Sequence, residues 1–463
     1  MPIRGGSYNN TSNAGASALN LNNLRSNVNG NIGFFSAYHF NQICKFTDLQ
    51  QYKQMGKGLV SIPKGKIQTA ANADSTPYGG TAQAIFATGS TTEKENQSMK
   101  QFDLTFDEIV DFENLVMAYK SASGNGKRYR GETLRFTAQL TEELIQIQNE
   151  LIWGSYEVGP YRAKEIKIPK PRIIMALQFR DRVVQWAIYR KLNPLYENLY
   201  INDSYGCRKD KGPVRARARL QYWLRKVNRS SKQWYILKLD ISKYFYRIDH
   251  KILLKILGKR IKDKRIMDLL DKIINCENTA FGLPSGCMPT ELPREEWIYT
   301  TGMPIGNLTS QMFANIYLHE LDVFCKHKLK IHYYQRTADD IIILWPDKQK
   351  LHGIKDEIER FLNEELHLEL NEKTAIIPAN RSVEYVGALV NTRRIKIRKS
   401  TLTRTRRCLK CVAKKYHDGR TSFKKANNTF QSYRGMFKHC SNENIYNRFA
   451  AEFVLIPHRK SPP

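Results

Sequence analysis

The chain has 463 residues, a length suited to about three domains. It is 41% hydrophobic and 25% charged, which argues against wholesale disorder and against collagen-like or membrane-spanning classes. Lys and Arg number 74 against 44 Asp and Glu, a net charge of +30; that balance points to a polyanionic partner, usually nucleic acid, with simple solubility as the competing reading.

Residues 1–35 are rich in Asn, Ser and Gly, and residues 36–98 continue with few charges and no clear periodicity. The expectation for 1–98 is a poorly structured extension. No apolar run approaches the roughly 20 residues that a membrane span needs, and Met1–Ser7 carries no secretory apolar core. The eight cysteines are scattered, so they do not read as a disulfide framework. The reading is a cytoplasmic protein with reduced thiols and no membrane partner.

Composition changes near Met99. Phe106, Ile109, Val110, Leu115, Val116 and Tyr119 recur at helical spacing, and Leu144–Trp153 repeats the pattern before Gly154. Trp234–Ile241 predicts a buried strand, followed by helical spacing from Phe245 to Ile256. Residues 276–301 read as a loop. Phe313, Ile316, Tyr317, Leu321 and Phe324 predict another helix. Tyr333–Arg336, a tight Thr-Ala-Asp-Asp and Ile341–Trp345 then read as strand, turn, strand. Strands separated by helices predict an α/β or α+β core. Residues 391–463 hold 19 Lys and Arg against 3 Asp and Glu. Apolar and aromatic residues from Leu409 to Phe453 interleave with them, so this part predicts a folded, phosphate-gripping helical unit. Cys408 and Cys411, with His417, His439 and Cys440, are better read as packed thiols than as a zinc site, because the spacing is loose.

Asp240 ends one predicted strand, and Asp339 and Asp340 sit at the turn of another hairpin 99 residues later. Acids at the ends of two adjacent strands can converge, and such a cluster is costly unless cations neutralise it. Two divalent metals bridging them would suit in-line attack on phosphorus. Ordinary turn chemistry is the alternative, and it is the commoner case for an Asp pair.

The order of motifs resembles reverse transcriptases, specifically those of diversity-generating retroelements, from about Met99 to about Phe449. The motifs are Ile168-Pro-Lys-Pro-Arg172 with Phe179–Gln185, Asp203–Gly212, Leu239–Phe245, Gly302–Gln311, Thr337–Asp340, Leu368–Thr374 and Tyr385-Val-Gly387. The resemblance implies an α+β right-hand polymerase. Fingers would fall within 99–232, a palm with an antiparallel sheet within 233–390, and a basic helical thumb within 391–463.

It implies an RNA-directed DNA polymerase in which Asp240, Asp339 and Asp340 are catalytic and hold two Mg²⁺ ions, with Mn²⁺ as an alternative. Lys170 and Arg172 would contact the incoming dNTP triphosphate, where an Arg fork suits phosphate. Phe245 would sit under the sugar and clash with a ribose 2′-OH. Gly306 would let the backbone approach the nucleotide, with Ile305 and Gln311 in the same turn, and Lys373 would stand near the leaving pyrophosphate. Arg208, Lys209 and Lys211 would line the template channel, and Tyr385 and Gly387 would form a primer grip.

Most retroelement polymerases carry Gln-Gly-x-x-x-Ser-Pro where this chain has Ile305-Gly306-Asn307-Leu308-Thr309-Ser310-Gln311. The Ile and the Gln resemble the diversity-generating enzymes, and loss of a polar restraint near the templating base offers a source of infidelity. The usual Tyr-x-Asp-Asp is here Thr337-Ala338-Asp339-Asp340, so a ring that supports the primer end in the family is missing. Residues 4–35 resemble the end of a C-type-lectin-like variable domain. With nine Asn in the first 31 residues, they read as translation of an adenine-rich template repeat, with a protein-binding or display appendage as the other reading. The implied partners are a template-repeat RNA, its cDNA, dNTPs and an oligomeric small basic accessory protein. The rivals are a retron-like or phage-defence reverse transcriptase and a catalytically weak RNA-binding scaffold.

Overall fold

The computed structural model describes residues 100–124, 126–166, 172–284 and 286–456. The expectations for residues 1–98 and for Lys170 lie outside the described residues. The helical periodicity that begins at Phe106 forms two helices, α1 (Phe106–Val110) and α2 (Phe112–Ser123), where the sequence pattern suggests one. Asp111 makes the break: it leaves helical backbone, and its carboxylate accepts from the Asn114 amide at 3.2 Å, capping α2. α3 (Gly131–Ala138) and α4 (Leu140–Ile152) follow.

The fingers ribbon is β1 (Arg162–Ile166) paired antiparallel with β2 (Arg172–Ala176). Two helices come next, α5 (Phe179–Glu197) and α6 (Pro213–Val227). β3 (Tyr235–Asp240) leads into the short α7 (Tyr244–Arg247), then α8 (His250–Gly258) and α9 (Lys264–Ile274). After the loop, α10 (Leu308–Val323) runs on through a π-helical turn over Phe324–Lys328. β4 (Tyr333–Thr337) and β5 (Asp340–Trp345) make the expected hairpin, and α11 (Lys348–Leu366) and β6 (Ala375–Pro378) complete the palm.

The palm sheet has strand order β4-β5-β3-β6, antiparallel throughout. Ile341, Ile342, Ile343 and Leu344 of β5 are all fully buried, so this strand is covered on both faces. Each such side chain contributes roughly 1.5–3 kcal/mol by leaving water. One face carries Leu237, Leu239, Ile341 and Ile343 and packs in the main core with α2, α5, α8 and α10. The other carries Ile236, Ile342 and Leu344 and packs under α6 and a second small sheet.

That second sheet is β7 (Val383–Tyr385), β8 (Ala388–Val390) and β9 (Ile395–Ile397), antiparallel in that order. It feeds the helical thumb: α12 (Lys399–His417), α13 (Phe423–Phe437) and α14 (Glu443–Glu452). The thumb has its own core of Leu409, Phe430, Phe437 and Tyr446, while Arg406, Arg407, Lys410, Lys414 and Lys415 are exposed on α12. Among the described residues, no helix is long and apolar enough to cross a membrane.

Candidate active site

Three acidic residues meet at one end of the palm sheet. β3 ends on Asp240 and β5 begins on Asp340, and the register sets the two directly opposite. Opposed residues of an antiparallel ladder project from the same face with Cβ atoms about 4.5–5.5 Å apart. Asp339 is the second residue of the two-residue turn from β4 to β5, and its carbonyl accepts from the Ile241 amide at 3.3 Å. Burial pushes the Asp340 carboxyl up to about 7; the charges of Asp339 and Asp240 push the same way, and Lys238 opposes them.

Carboxylates are hard oxygen donors, and Mg²⁺ usually takes only one or two of them, with substrate phosphates and water completing its shell. Among the described residues no three His, Cys, Asp or Glu side chains form a ready-made cage. A cation held by Asp240, Asp339 and Asp340 would therefore draw further ligands from substrate or water.

A buried network shapes the turn that carries Asp339. Ala338 has a left-handed backbone, φ +54°. Its carbonyl accepts from the Arg336 guanidinium at 3.2 Å, and that guanidinium pairs with Asp322 of α10 at 2.6 Å. Both side chains of the pair are fully buried. Asn315 of α10 accepts from Arg336 at 3.4 Å and donates to the Gly206 carbonyl at 2.8 Å. Gly206 in turn sits under Ala338. Arg336, Asp322 and Asn315 drew no functional assignment from the sequence alone. The signals were there: an Arg inside a buried strand, and an Asp and an Asn among the apolar residues of a largely buried helix.

The residues that the resemblance assigns to the nucleotide lie in different settings. Phe245 is half-buried, and its carbonyl accepts from the Met303 amide at 2.7 Å. Arg172 is exposed at the start of β2, opposite Ile166. Lys373 is exposed in the turn before β6, and that turn is joined to β3 by the Asn371 amide donating to the Asp240 carbonyl at 2.7 Å. Gln311 lies half-buried in the first turns of α10.

The glycine of the Ile305-Gly306 turn serves the fingers directly. The Ile305 carbonyl accepts from the Met175 amide at 2.9 Å. Gly306 has φ +123°, and a Cβ there would meet the Met175 carbonyl oxygen at 2.8 Å. Close approach to β2, in the protein itself, is what demands a glycine at 306. Ile305 packs against a small cluster of Met175, Tyr246, Phe281, Leu283 and Trp297.

Two nucleic-acid assignments are corrected. Arg208 is buried: it donates to Glu197 at 2.8 Å and to the carbonyls of Ile201 and Ser204 at 2.7 and 3.0 Å. Its fork is spent inside the protein, whereas Lys209 is exposed and Lys211 donates to Asn202. Tyr385 is likewise fully buried, so its ring is not a surface for a primer. Gly387, at φ +76°, and Val386, at φ +45°, form the β7–β8 turn beside it. A β-branched residue in that region is an outlier.

Residues 164–390 match the family described as Reverse transcriptase (RNA-dependent DNA polymerase). They are a reverse transcriptase domain. Such a domain is that of an RNA-directed DNA polymerase; the palm lies within the matched residues, and the helical thumb follows them. Protein YkfC of Escherichia coli (strain K12) is 26% identical over 60% of this chain and 79% of its own length. The group II intron-encoded protein LtrA of Lactococcus lactis subsp. cremoris is 28% identical over 51% of this chain, but that match spans only 36% of its own length. The structure of apo telomerase from Candida tropicalis aligns with a TM-score of 0.40 at 15% identity, covering 64% of this chain and 59% of that one.

Proposed function

We propose that this reverse transcriptase copies a template-repeat RNA into cDNA with errors opposite adenine, as the polymerase of a diversity-generating retroelement. The observation that carries the reading is the segment Ile305–Gln311, whose Ile and Gln resemble those of the mutagenic enzymes. Ile305 stands beside the fingers strand β2 and packs into an apolar cluster. A side chain held there by packing offers the templating base no hydrogen bond, so geometry at that base is less restrained.

In this reading Asp240, Asp339 and Asp340 hold the divalent ions, Mg²⁺ or Mn²⁺. When bound, such ions neutralise charge at the reacting phosphate and favour attack by the primer hydroxyl. Arg172, Lys170 and Lys373 bind the triphosphate, and the half-buried Phe245 excludes a ribose 2′-OH. Lys209 and the exposed basic face of α12 hold the template–cDNA duplex. An oligomeric small basic accessory protein and the structured RNA are the proposed partners.

A second reading is an accurate reverse transcriptase of group II intron or retron-like type. It is favoured by relatives such as the group II intron-encoded protein, which match over half of this chain or more. Primer extension on an adenine-containing RNA, with Mg²⁺ and single dNTPs, separates the two. The mutagenic reading expects non-T bases to enter opposite adenine, with incorporation lost in the Asp339→Ala, Asp340→Ala double variant. Accurate incorporation would favour the second reading. No incorporation, even with accessory protein and structured RNA added, would leave an RNA-binding scaffold.

A further inference from the structure

The tips of two hairpins touch through one buried hydrogen bond. Thr337 is the last residue of β4, directly before Ala338 and Asp339. Tyr385 is the last residue of β7, directly before Val386 and Gly387. The Thr337 Oγ1 and Tyr385 Oη atoms are 2.7 Å apart. Tyr385 is fully buried and Thr337 nearly so. No solvent competes for this bond, and a phenol left unpartnered there would be costly.

The bond spans two separate sheets, the palm sheet and β7-β8-β9. On the palm side, Thr337 is the ladder partner of Asp340, so both project from the same face beside one another. On the other side, Glu384 precedes Tyr385 and is ion-paired at 2.5 Å to Arg398, the residue directly before the first thumb helix. Each tip also contains a non-glycine residue at positive φ, Ala338 at +54° and Val386 at +45°. Such backbone persists only where its surroundings hold it. The Tyr385–Thr337 bond is a direct tie between the two.

We propose that Tyr385 is a positioning residue for nucleotide addition. Through Thr337 its hydroxyl fixes the Asp339–Asp340 turn against the hairpin that leads to the thumb. The acids are thereby held in register with whatever nucleic acid the thumb grips. The inference rests on the polymerase reading above, and it assigns Tyr385 a task different from contact with the primer.

The test is single-nucleotide extension by the full chain, on an RNA template with a DNA primer, with active sites titrated so that only folded enzyme is counted. Tyr385→Phe keeps the ring and removes the hydroxyl. The expected result is a five- to tenfold fall in kcat, with the KM for dNTP within twofold of the unaltered protein. Thr337→Val should match it, Thr337→Ser should restore most of the rate lost in Thr337→Val, and the Tyr385→Phe, Thr337→Val double variant should be no slower than either single one. A merely structural bond would lower the active fraction and the melting temperature and leave kcat per titrated site unchanged; that outcome overturns the proposal. Equal and multiplying losses in the double variant would overturn it as well. If the unaltered chain itself adds no nucleotide, the polymerase reading fails first and this inference falls with it.

Discussion

A Cβ added to Gly206 would lie 2.5 Å from the amide nitrogen of Ala338. The loop that carries Gly206 is therefore the floor of the turn that carries Asp339. Ala338 is backbone in a hairpin and cannot swing aside as a flexible side chain would. Gly206→Ala should push the turn outward, costing about 1–3 kcal/mol of stability. A displacement near 1 Å at reacting groups costs on the order of 10²-fold in rate. Denaturant titration and single-nucleotide extension check the two parts. A variant with unaltered rate would show that the turn does not depend on this contact.

The Arg336–Asp322 pair gives a second expectation. Both side chains are fully buried, and Arg336 also holds the Ala338 carbonyl. Removing one partner leaves an uncompensated buried charge, at about 3–5 kcal/mol. Arg336→Met and Asp322→Leu should each be strongly destabilised, while the double variant should recover much of the loss. Urea midpoints of the three proteins measure this. Extension activity should not recover in the double variant, since the bond to Ala338 stays absent.

Asp340 makes stability depend on pH in an unusual direction. Its folded pKa is pushed up to about 7, first by burial and then by Asp339. An unfolded Asp titrates near 4. Between those values the folded protein holds the proton more tightly, so this group's contribution falls as pH rises through the window. The slope is at most about 1.4 kcal/mol per pH unit, less what partial exposure to solvent screens. In metal-free protein, melting temperature should decline between pH 5 and 7.5, and Asp340→Asn should flatten that decline. Added Mg²⁺ should offset it, because a cation beside the carboxylates favours the charged form.

Arg208 and Lys209 are adjacent in sequence but should fail differently. Arg208 is spent on Glu197 and two carbonyls. Arg208→Ala should cost about 2 kcal/mol in stability, since hydrogen bonds to charged groups are worth that much, with the salt dependence of RNA binding unchanged. Lys209 is exposed. If it meets a phosphate, Lys209→Ala should leave the melting temperature alone and reduce the slope of log affinity against log salt by about 0.7. Fluorescence anisotropy across a salt series, beside thermal melts, tests both residues.

Much of the palm was legible along the chain. Ile341–Trp345 is a run of apolar residues long enough for one buried strand, and the acids before it mark the hairpin turn. The apolar spacing of α10 was visible for the same reason, because period and length are local properties. The α1–α2 break was missed because a capping Asp111 interrupts a pattern that otherwise continues smoothly. The Arg336–Asp322–Asn315 network was missed because its members become neighbours only when β4 lies on α10. The same limit applies to Gly306, whose demand for glycine comes from β2, some 130 residues earlier. The family resemblance placed Arg208 on a channel wall, although it lies inside with its own partners. Residue type carries an affinity for phosphate but not the direction in which the side chain points.

The pairing of β3 with β5 sets when this centre can come into being. Asp240 and Asp340 are ladder partners, yet 99 residues of chain lie between them. Closing a loop of that length costs about 4 kcal/mol in chain entropy beyond the fixed term, and contacts so distant in sequence are slow to form. The helices α8, α9 and α10 lie within that loop, and their own hydrogen bonds are local. A chain emerging from the ribosome can thus hold much of its helix before the acidic cluster exists at all. In the proposed reading, activity regained on refolding times the zipping of β5 against β3, and it is blind to everything that collapses before that event.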